Sequence, residues 1–218
     1  MIIFSDLSDV LIEGIGKVSQ VVIERFGKEV GEKYWKHLHD SKDDFKEVLC
    51  GRISEAEFCR RFASSDDWPF EASDIQEIFT QSFRKKIPVT IQVYQDIVAH
   101  PKSFLDSTII NGRPDIYIVS DHIKERVVEI KKDHPDIFEF TVDQFWSCEI
   151  GKIKQDEGFF LELLEELGLD TREVIFVDDN NLNIEAASKV GIVGIQFENA
   201  KQLKSELKKY GFGFGKDK

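Results

Sequence analysis

Short apolar runs alternate with segments of helical periodicity along most of this chain. The apolar runs have the length of buried strands and occupy residues 2–5, 116–119, 174–177 and 193–197, with a further possible strand at 140–142. Apolar positions recur every three or four residues in the segments 91–99, 123–130, 157–167 and 184–190, which predicts helices there. Strands separated by helices favour right-handed crossovers, and therefore a parallel sheet that carries helices on both faces.

The segment between the first strand and residue 88 has a different pattern. From residue 14 to residue 87 the apolar positions follow helical spacing, and no run in this segment predicts a strand. Ser54 followed by Glu57 matches the capping box that starts many helices. We therefore predict an α/β protein with a three-layer, Rossmann-like core formed by residues 1–13 and 88–218, into which residues 14–87 insert an all-helical cap domain.

Charge and cysteine content exclude several classes of function. The chain of 218 residues has 29 Lys and Arg against 41 Asp and Glu, a net charge of −12, which argues against binding to nucleic acid or to an anionic membrane. Three cysteines without a close pair indicate neither a disulfide framework nor a zinc site. The apolar N-terminus has no basic region before it and includes Asp6 and Asp9, unlike a secretory signal. We expect a cytoplasmic monomer or homodimer.

Polar side chains follow three of the predicted strands at the point where each strand ends. They are Asp6, the pair Ser120–Asp121 and the pair Asp178–Asp179. Carboxyl ends of neighbouring parallel strands meet at one edge of a sheet, where ligands bind in such folds. Clustered carboxylates need a cation, and an all-oxygen set of ligands favours Mg²⁺. The alternative is that these carboxylates cap turns or the following helices.

Four segments resemble, in order, the motifs of the haloacid dehalogenase (HAD) superfamily, in the subgroup with a helical cap after the first strand. These segments are FSDLSDV from residue 4, IYIVS from 116, GKIKQD from 151 and DDNNLN from 178. The resemblance covers essentially the whole chain and implies a magnesium-dependent hydrolase, most often a phosphatase. In the third segment it assigns the family lysine to Lys154 and not to Lys152. From its own surroundings, Lys154 would be taken for a solvated lysine like its neighbours.

The resemblance implies a role for each motif residue. Asp6 would attack the phosphorus, Ser120 and Asp121 would lie at the phosphate, and Lys154 would supply positive charge. The ligands of Mg²⁺ would be the carboxylates of Asp6 and Asp179 and the backbone carbonyl of Ser8, with Asp178 sharing or supporting the ion and Asn183 orienting the acidic pair or Lys154.

Ser8 departs from the family pattern. Phosphatases of the family usually carry a second aspartate there, which protonates the leaving oxygen and then activates water. A serine hydroxyl does not exchange protons near neutral pH, and loss of a general acid–base group typically costs about 10²–10⁴ in rate. Asp9 lies one residue too late, unless the loop redirects it. His122 follows the second motif and is expected at a helix start or on the surface.

Three functions remain open at this point. The leading hypothesis is a phosphatase that acts on a small phosphorylated metabolite through an aspartyl-phosphate. The second is a catalytically weakened protein that binds a phosphorylated ligand or regulates a partner, which Ser8 and Asp121 favour. The third is a 2-haloacid dehalogenase, which needs no metal and would leave the Asp178–Asp179 pair without a purpose. The substrate itself cannot be read from the motifs, because specificity lies in the cap.

Overall fold

The computed structural model describes residues 1–14, 18–64, 70–100 and 114–214. In these ranges the chain forms five strands, which are β1 Ile2–Ser5, β2 Ile116–Ser120, β3 Asp143–Trp146, β4 Val174–Asp178 and β5 Val193–Gln196. They form one sheet in the order β3-β2-β1-β4-β5, and every neighbouring pair is parallel. The predicted Rossmann-like parallel sheet is confirmed, and β1 lies at its centre.

Helices account for most of the remaining described chain. They are α1 Val18–Phe26, α2 Lys28–Asp40, α3 Lys42–Leu49, α4 Glu55–Ala63, α5 Ala72–Ser82, α6 Pro88–Ala99, α7 Lys124–Asp133, α8 Pro135–Phe138, α9 Ser147–Ile150, α10 Phe159–Leu167, α11 Asn181–Lys189 and α12 Ala200–Lys209. None of these helices combines the length and the apolar character that a bilayer crossing requires.

Apolar side chains of the strands pack against helices on both faces of the sheet. Ile3 belongs to a core cluster that also includes apolar residues of α6, α7 and α12. Phe4, the next residue, belongs to a second cluster formed with α10 and α11. Successive strand residues point to opposite faces, so a strand that is apolar throughout is buried on both sides. This packing produces the three layers that the sequence predicts.

Helices α1–α5 lie between β1 and β2 in sequence, and the chain enters and leaves them side by side. The backbone N–H of Glu13 donates to the carbonyl of Lys85 at 2.7 Å, and that of Ile87 donates to the carbonyl of Leu11 at 2.7 Å. Ser54 caps α4 as predicted, with its side chain accepting from the N–H of Glu57. The segment that leads into these helices and the segment that leads out of them therefore lie side by side, next to the end of the central strand β1.

One expectation in the α/β region is wrong. The strand expected at 140–142 begins at Asp143, because β3 is an edge strand whose exposed first residue interrupts the apolar pattern that marks buried strands. The segment that follows α12 is packed against the core as far as the structure describes it. Phe212 is buried, because it follows α12 into the core that this helix shares with the sheet. Residues 215–218 lie outside the described ranges.

Candidate active site

Asp6 follows the central strand and its carboxylate is held by several donors. Its Oδ1 accepts from the hydroxyl of Ser120 at 2.6 Å and from the backbone N–H of Leu7 at 2.7 Å, and it lies 3.0 Å from Nζ of Lys154. The backbone N–H of Asp6 donates to the carbonyl of Val177 on β4. Oδ2 accepts no hydrogen bond from the described residues. The carboxylate is thus fixed by one oxygen and leaves the other available.

Lys154 is the cation of the site and is only 2% exposed. Its Nζ lies 2.6 Å from Oδ2 of Asp178 as well as 3.0 Å from Oδ1 of Asp6. Burial opposes its charge, but the carboxylates of Asp178, Asp6 and Asp121 together raise its pKa above the ordinary value. Lys154 is therefore charged and buried, and the solvated position that its sequence neighbours suggest is wrong. Lys152, by contrast, pairs with Glu162 at the surface.

Asp178 is fully engaged in supporting this arrangement. Besides Lys154, it accepts from the backbone N–H of Asn180 at 2.8 Å and from Nδ2 of Asn183, which lies 3.1 Å from each of its oxygens. The cap of α11 is Asn180, whose side chain accepts from the N–H of Leu182, so the alternative that Asp178 or Asp179 caps this helix is wrong. Asn183 thus contacts Asp178 of the acidic pair.

Asp6, Asp178 and Asp179 form a cluster that could hold a metal ion. Each offers a carboxylate oxygen, and these oxygens all lie within 4.8 Å of one another. Partial loss of water in the cleft, with repulsion from Asp6 and Asp178, raises the pKa of Asp179 to about 7. Such an excess of negative charge around one lysine suits a divalent cation, and an all-oxygen set suits Mg²⁺. The residues present fit the ion that the motifs imply.

Ser8 faces His122 across the end of the sheet. Ser8 Oγ and Nε2 of His122 form a hydrogen bond of 2.8 Å, and the His122 ring lies edge-on against Phe83 and Trp146. His122 is 2% exposed, so its expected surface position is wrong. Burial, reinforced by the charge of Lys154, lowers the pKa of His122 to about 3, and the ring is uncharged at neutral pH. The partner of Ser8 is thus a neutral imidazole.

Asp9 is committed to the turn that follows β1. It has a positive φ of 58°, its N–H donates to the carbonyl of Ile12, and its Oδ1 accepts from the N–H of Gly14 at 2.9 Å. A Cβ on Gly14 would lie 2.7 Å from Cβ of Ser8, so the tight turn requires glycine there. Asp9 lines the cavity, and its carboxylate also stabilises the backbone that carries Ser8.

Asp121 contacts the backbone of the loop that carries Lys154. Its Oδ1 accepts from the N–H of Lys154 at 3.1 Å. Desolvation raises the pKa of Asp121 to about 7, against the opposing charge of Lys154. Asp121 borders the cavity beside Ser120, and its hydrogen bond positions the lysine loop.

These side chains border a cavity of about 350 Å³, which lies between the carboxyl ends of the strands and the helices α3 and α5. The motif residues form its floor, and helix residues form the opposite wall. Its lining includes Asp6, Ser8, Asp9, Ser120, Asp121, His122, Lys154, Asp179 and Asn183 from the floor, and Phe45, Leu49, Phe79 and Phe83 from the wall. The predicted site residues thus meet in one cavity, apart from Asp178, which is fully buried and does not line it.

Sequence reasoning missed three contributors to this site. For His122, the available sequence signal is its position just after the second motif. Gln155, the residue after Lys154, donates from Nε2 to Oδ1 of Asn183 at 3.0 Å. Tyr94, on α6, forms a hydrogen bond of 2.8 Å through its hydroxyl with Oγ of Ser5, the residue before Asp6. No sequence signal marks Tyr94, because it reads as one apolar position of a helix.

The chain belongs to the haloacid dehalogenase-like hydrolase family, whose sequence model matches residues 1–191 and so includes every motif residue described above. Flavin mononucleotide hydrolase 1 of Arabidopsis thaliana is 40% identical over 67 residues, which are 31% of this chain and 27% of that protein. Bifunctional epoxide hydrolase 2 of Mus musculus is 26% identical over 139 residues, 64% of this chain and 24% of that protein. The chain thus spans about a quarter of the length of these curated relatives.

Solved structures share the fold at low sequence identity. A HAD-like family hydrolase from Porphyromonas gingivalis has a TM-score of 0.68 at 19% identity, with 94% of this chain and 96% of that chain covered. A HAD family enzyme from Bacteroides thetaiotaomicron, in complex with magnesium and inorganic phosphate, has a TM-score of 0.65 at 16% identity, with 90% and 93% covered. L-2-haloacid dehalogenase from Xanthobacter autotrophicus has a TM-score of 0.62 at 14% identity, with 98% and 85% covered.

Proposed function

We propose that this hydrolase is a magnesium-dependent phosphatase that acts on a small phosphorylated metabolite through an aspartyl-phosphate. The observation that carries the proposal is the Asp6 carboxylate, fixed through one oxygen by Ser120 and Lys154 at the floor of the cavity. The chemistry needs a nucleophile held beside a cation and an oxygen-ligated metal, and this cluster combines them. The magnesium and phosphate in the Bacteroides enzyme, and the name of the Arabidopsis relative, support the same reading.

The proposed reaction has two steps at Asp6. A carboxylate oxygen of Asp6 forms a bond to phosphorus while the bond between phosphorus and the ester oxygen breaks, and the released alkoxide or phenoxide takes up a proton. Water then attacks the same phosphorus, the bond to Asp6 breaks, and inorganic phosphate leaves with the carboxylate restored. Splitting one hydrolysis into two displacements is the advantage of covalent catalysis.

Ser120 and Lys154 are proposed to bind and stabilise the transferring group. The hydroxyl of Ser120 and the ammonium of Lys154 already point at Asp6, so a phosphoryl group on Asp6 lies within their reach. Charge spreads over the phosphoryl oxygens in the transition state, and a preorganised cation in a buried site stabilises it strongly. Asp178, Asn183 and the backbone contact of Asp121 hold Lys154 in place for this role.

The proposed magnesium ligands are the carboxylates of Asp6 and Asp179 and the backbone carbonyl of Ser8, with Asp178 behind them. When bound, the ion would offset the repulsion between the Asp6 carboxylate and a phosphate dianion. Residues 14–87 are proposed to form the cap domain that covers this site and excludes water. We further propose, as the sequence predicts, that the protein is cytoplasmic and is a monomer or a homodimer.

The proposal is tested by assaying hydrolysis of phenyl phosphate with magnesium and with excess chelator. We expect turnover that depends on the metal, and turnover that survives in chelator would contradict the mechanism. A second assay tests the dehalogenase alternative. Release of halide from a 2-haloacid in excess chelator would support that activity instead.

Replacing Asp179 by Ala should abolish magnesium binding and leave the fold intact. Asp179 is the exposed member of the acidic pair, and among the described residues its carboxylate makes no hydrogen bond that its loss would break. Calorimetry should show magnesium binding to the native chain and none to D179A, while the melting temperatures agree. Asp133→Ala, at the end of α7 away from the cluster, is the control. Unchanged affinity in D179A would show that the ion binds elsewhere.

A binding or regulatory role is the second candidate, favoured by the hydrogen bond that ties Ser8 to the neutral ring of His122. Such a protein would retain its phosphoryl ligand without turnover. Tight binding of inorganic phosphate and magnesium by the native chain, combined with no hydrolysis of any ester tested, would favour it over the phosphatase.

A further inference from the structure

The wall opposite the catalytic floor is largely apolar. Helix α3 faces the cavity with Lys42, Phe45, Lys46 and Leu49, which are spaced three and four residues apart and so share one helix face. Phe45 and Leu49 are only half-buried, because their outer surfaces border the cavity. The apolar side chains of the lining are Phe45, Leu49, Phe79, Phe83, Ile123 and Ile153. Apolar area on this scale binds apolar substrate groups and offers nothing to hydroxyls.

Two of the charged side chains that line the cavity, Lys46 and Arg126, already have partners. Lys46 is paired with Asp156 of the core. Arg126 is paired with Glu55 at 3.0 Å and with Glu129 at 2.6 Å, so its charge is compensated. Among the described lining residues from the cap, only Lys42, exposed at the rim, has an uncompensated charge, and none is a neutral hydrogen-bonding residue. Apart from the charge of Lys42 at the rim, this wall therefore offers no side chain that would hydrogen-bond to a sugar.

Ser8 adds an independent constraint on the leaving group. Ser8 occupies the position at which, in the family pattern, a carboxyl group protonates the leaving ester oxygen, and the Ser8 hydroxyl is bonded to His122. A serine hydroxyl is too weak an acid to protonate a departing alkoxide near neutral pH. A leaving group that is stable as an anion needs no such proton. A phenoxide meets this condition, whereas an alkoxide does not.

We propose that the substrate is a phosphate monoester of an aromatic alcohol, with the ring packed against α3 and the ester oxygen attached directly to the ring. This inference rests on the proposed phosphatase function and narrows it to aryl phosphates. The cavity of about 350 Å³ lies at the small end of the roughly 300–1,000 Å³ that ligand pockets span, which suits a phosphoryl group with one ring. The aromatic ring would pack against the apolar wall, and an aryl leaving oxygen would need no general acid.

A panel of four esters tests the two parts of this inference on the native chain with saturating magnesium. Phenyl phosphate and benzyl phosphate carry the same ring and differ in whether the leaving oxygen is aryl or alkyl. Glycerol 1-phosphate is an alkyl ester without a ring, and flavin mononucleotide carries a large ring system on an alkyl ester. We expect kcat/KM for phenyl phosphate, which reports formation of the phosphoenzyme, to exceed that for benzyl phosphate by about 10²–10⁴-fold. We expect KM for benzyl phosphate to be roughly 10-fold or more below that for glycerol phosphate.

The outcomes separate this inference from the phosphatase function. Turnover of glycerol phosphate or flavin mononucleotide at or above the rate with phenyl phosphate would overturn the aryl substrate and leave the phosphatase intact. Equal KM values for benzyl and glycerol phosphate would overturn the role of the apolar wall. No magnesium-dependent turnover of any of the four esters would overturn both.

Leu49→Ser tests the wall directly. We expect KM for phenyl phosphate to rise roughly 10-fold, since losing a small apolar contact in a pocket typically costs 10-fold or more, and KM for glycerol phosphate to stay unchanged. Leu161→Ser makes the same chemical change at an exposed leucine of α10 that does not line the cavity, and should alter neither value. Equal changes in both KM values for L49S, or none, would contradict the packing of the ring against α3.

Discussion

Replacing Asp6 by Asn should reduce hydrolysis of every phosphate ester by roughly 10⁴-fold or more, the scale of loss when the nucleophile of a covalent catalyst is removed. The amide keeps the shape of the carboxylate but is not a nucleophile towards phosphorus. Lys154 stays paired with Asp178 at 2.6 Å, so its buried charge is not left without a partner. We therefore expect the fold to survive.

The measurement is kcat/KM for phenyl phosphate in magnesium, with thermal unfolding recorded in parallel. Asp40→Asn, an exposed aspartate on α2, is the matched control and should retain native activity. An active, folded D6N variant would show that Asp6 does not form the covalent intermediate. A variant that fails to fold would instead assign Asp6 a structural role. Its position at the end of the central strand makes this the relevant alternative.

Replacing Ser8 by Asp should accelerate the hydrolysis of alkyl phosphates by up to about 10²–10⁴-fold, which is the typical contribution of a general acid–base group. Ser8 lines the cavity, and its Oγ lies 2.8 Å from Nε2 of His122, so a carboxyl group there would face the leaving oxygen with a hydrogen-bond partner in place. The gain in kcat/KM, which reports formation of the phosphoenzyme, should be large for benzyl phosphate and small for phenyl phosphate, whose leaving group needs no proton.

Ser8→Asn is the matched control, because it has the shape of aspartate without the acid, and it should give no gain. Equal and negligible effects of S8D on both esters would show that another group already transfers the proton. Asp9 is the first to test by Asp9→Asn, although its hydrogen bond to the N–H of Gly14 commits one oxygen to the turn.

The convergence of the motif residues could be predicted from sequence because it follows from topology alone. Buried runs that end in Asp6, Ser120 and Asp178 must bring these residues together once the strands are parallel neighbours, and the order β2-β1-β4 does so. The helices α1–α5 between β1 and β2 could also be predicted, since their apolar spacing differs from that of the strands. Strand β3 was misplaced because an edge strand with an exposed start lacks a continuous apolar run.

The details that decide the chemistry depend on contacts between distant segments. Lys154 lies in a loop whose local composition matches that of solvated lysines, and its burial arises only when Asp6 and Asp178 are brought to it. The bond between Ser8 and His122 joins residues 114 positions apart and requires β1 and β2 to be adjacent. The apolar wall is likewise a property of how α3 and α5 sit over the sheet, which no periodicity specifies.

The central claim is that Asp6 carries the phosphoryl group between the two steps. The most direct test is to mix the native chain with magnesium and phenyl phosphate labelled on phosphorus, quench in acid within the first turnovers, and locate the label by peptide mass analysis. Because Ser8 offers no base to activate water, the phosphoenzyme should break down slowly and accumulate, with the label on the peptide that contains Asp6 and absent from D6N. Release of phenol without a labelled protein, or a label that persists in D6N, would contradict the account.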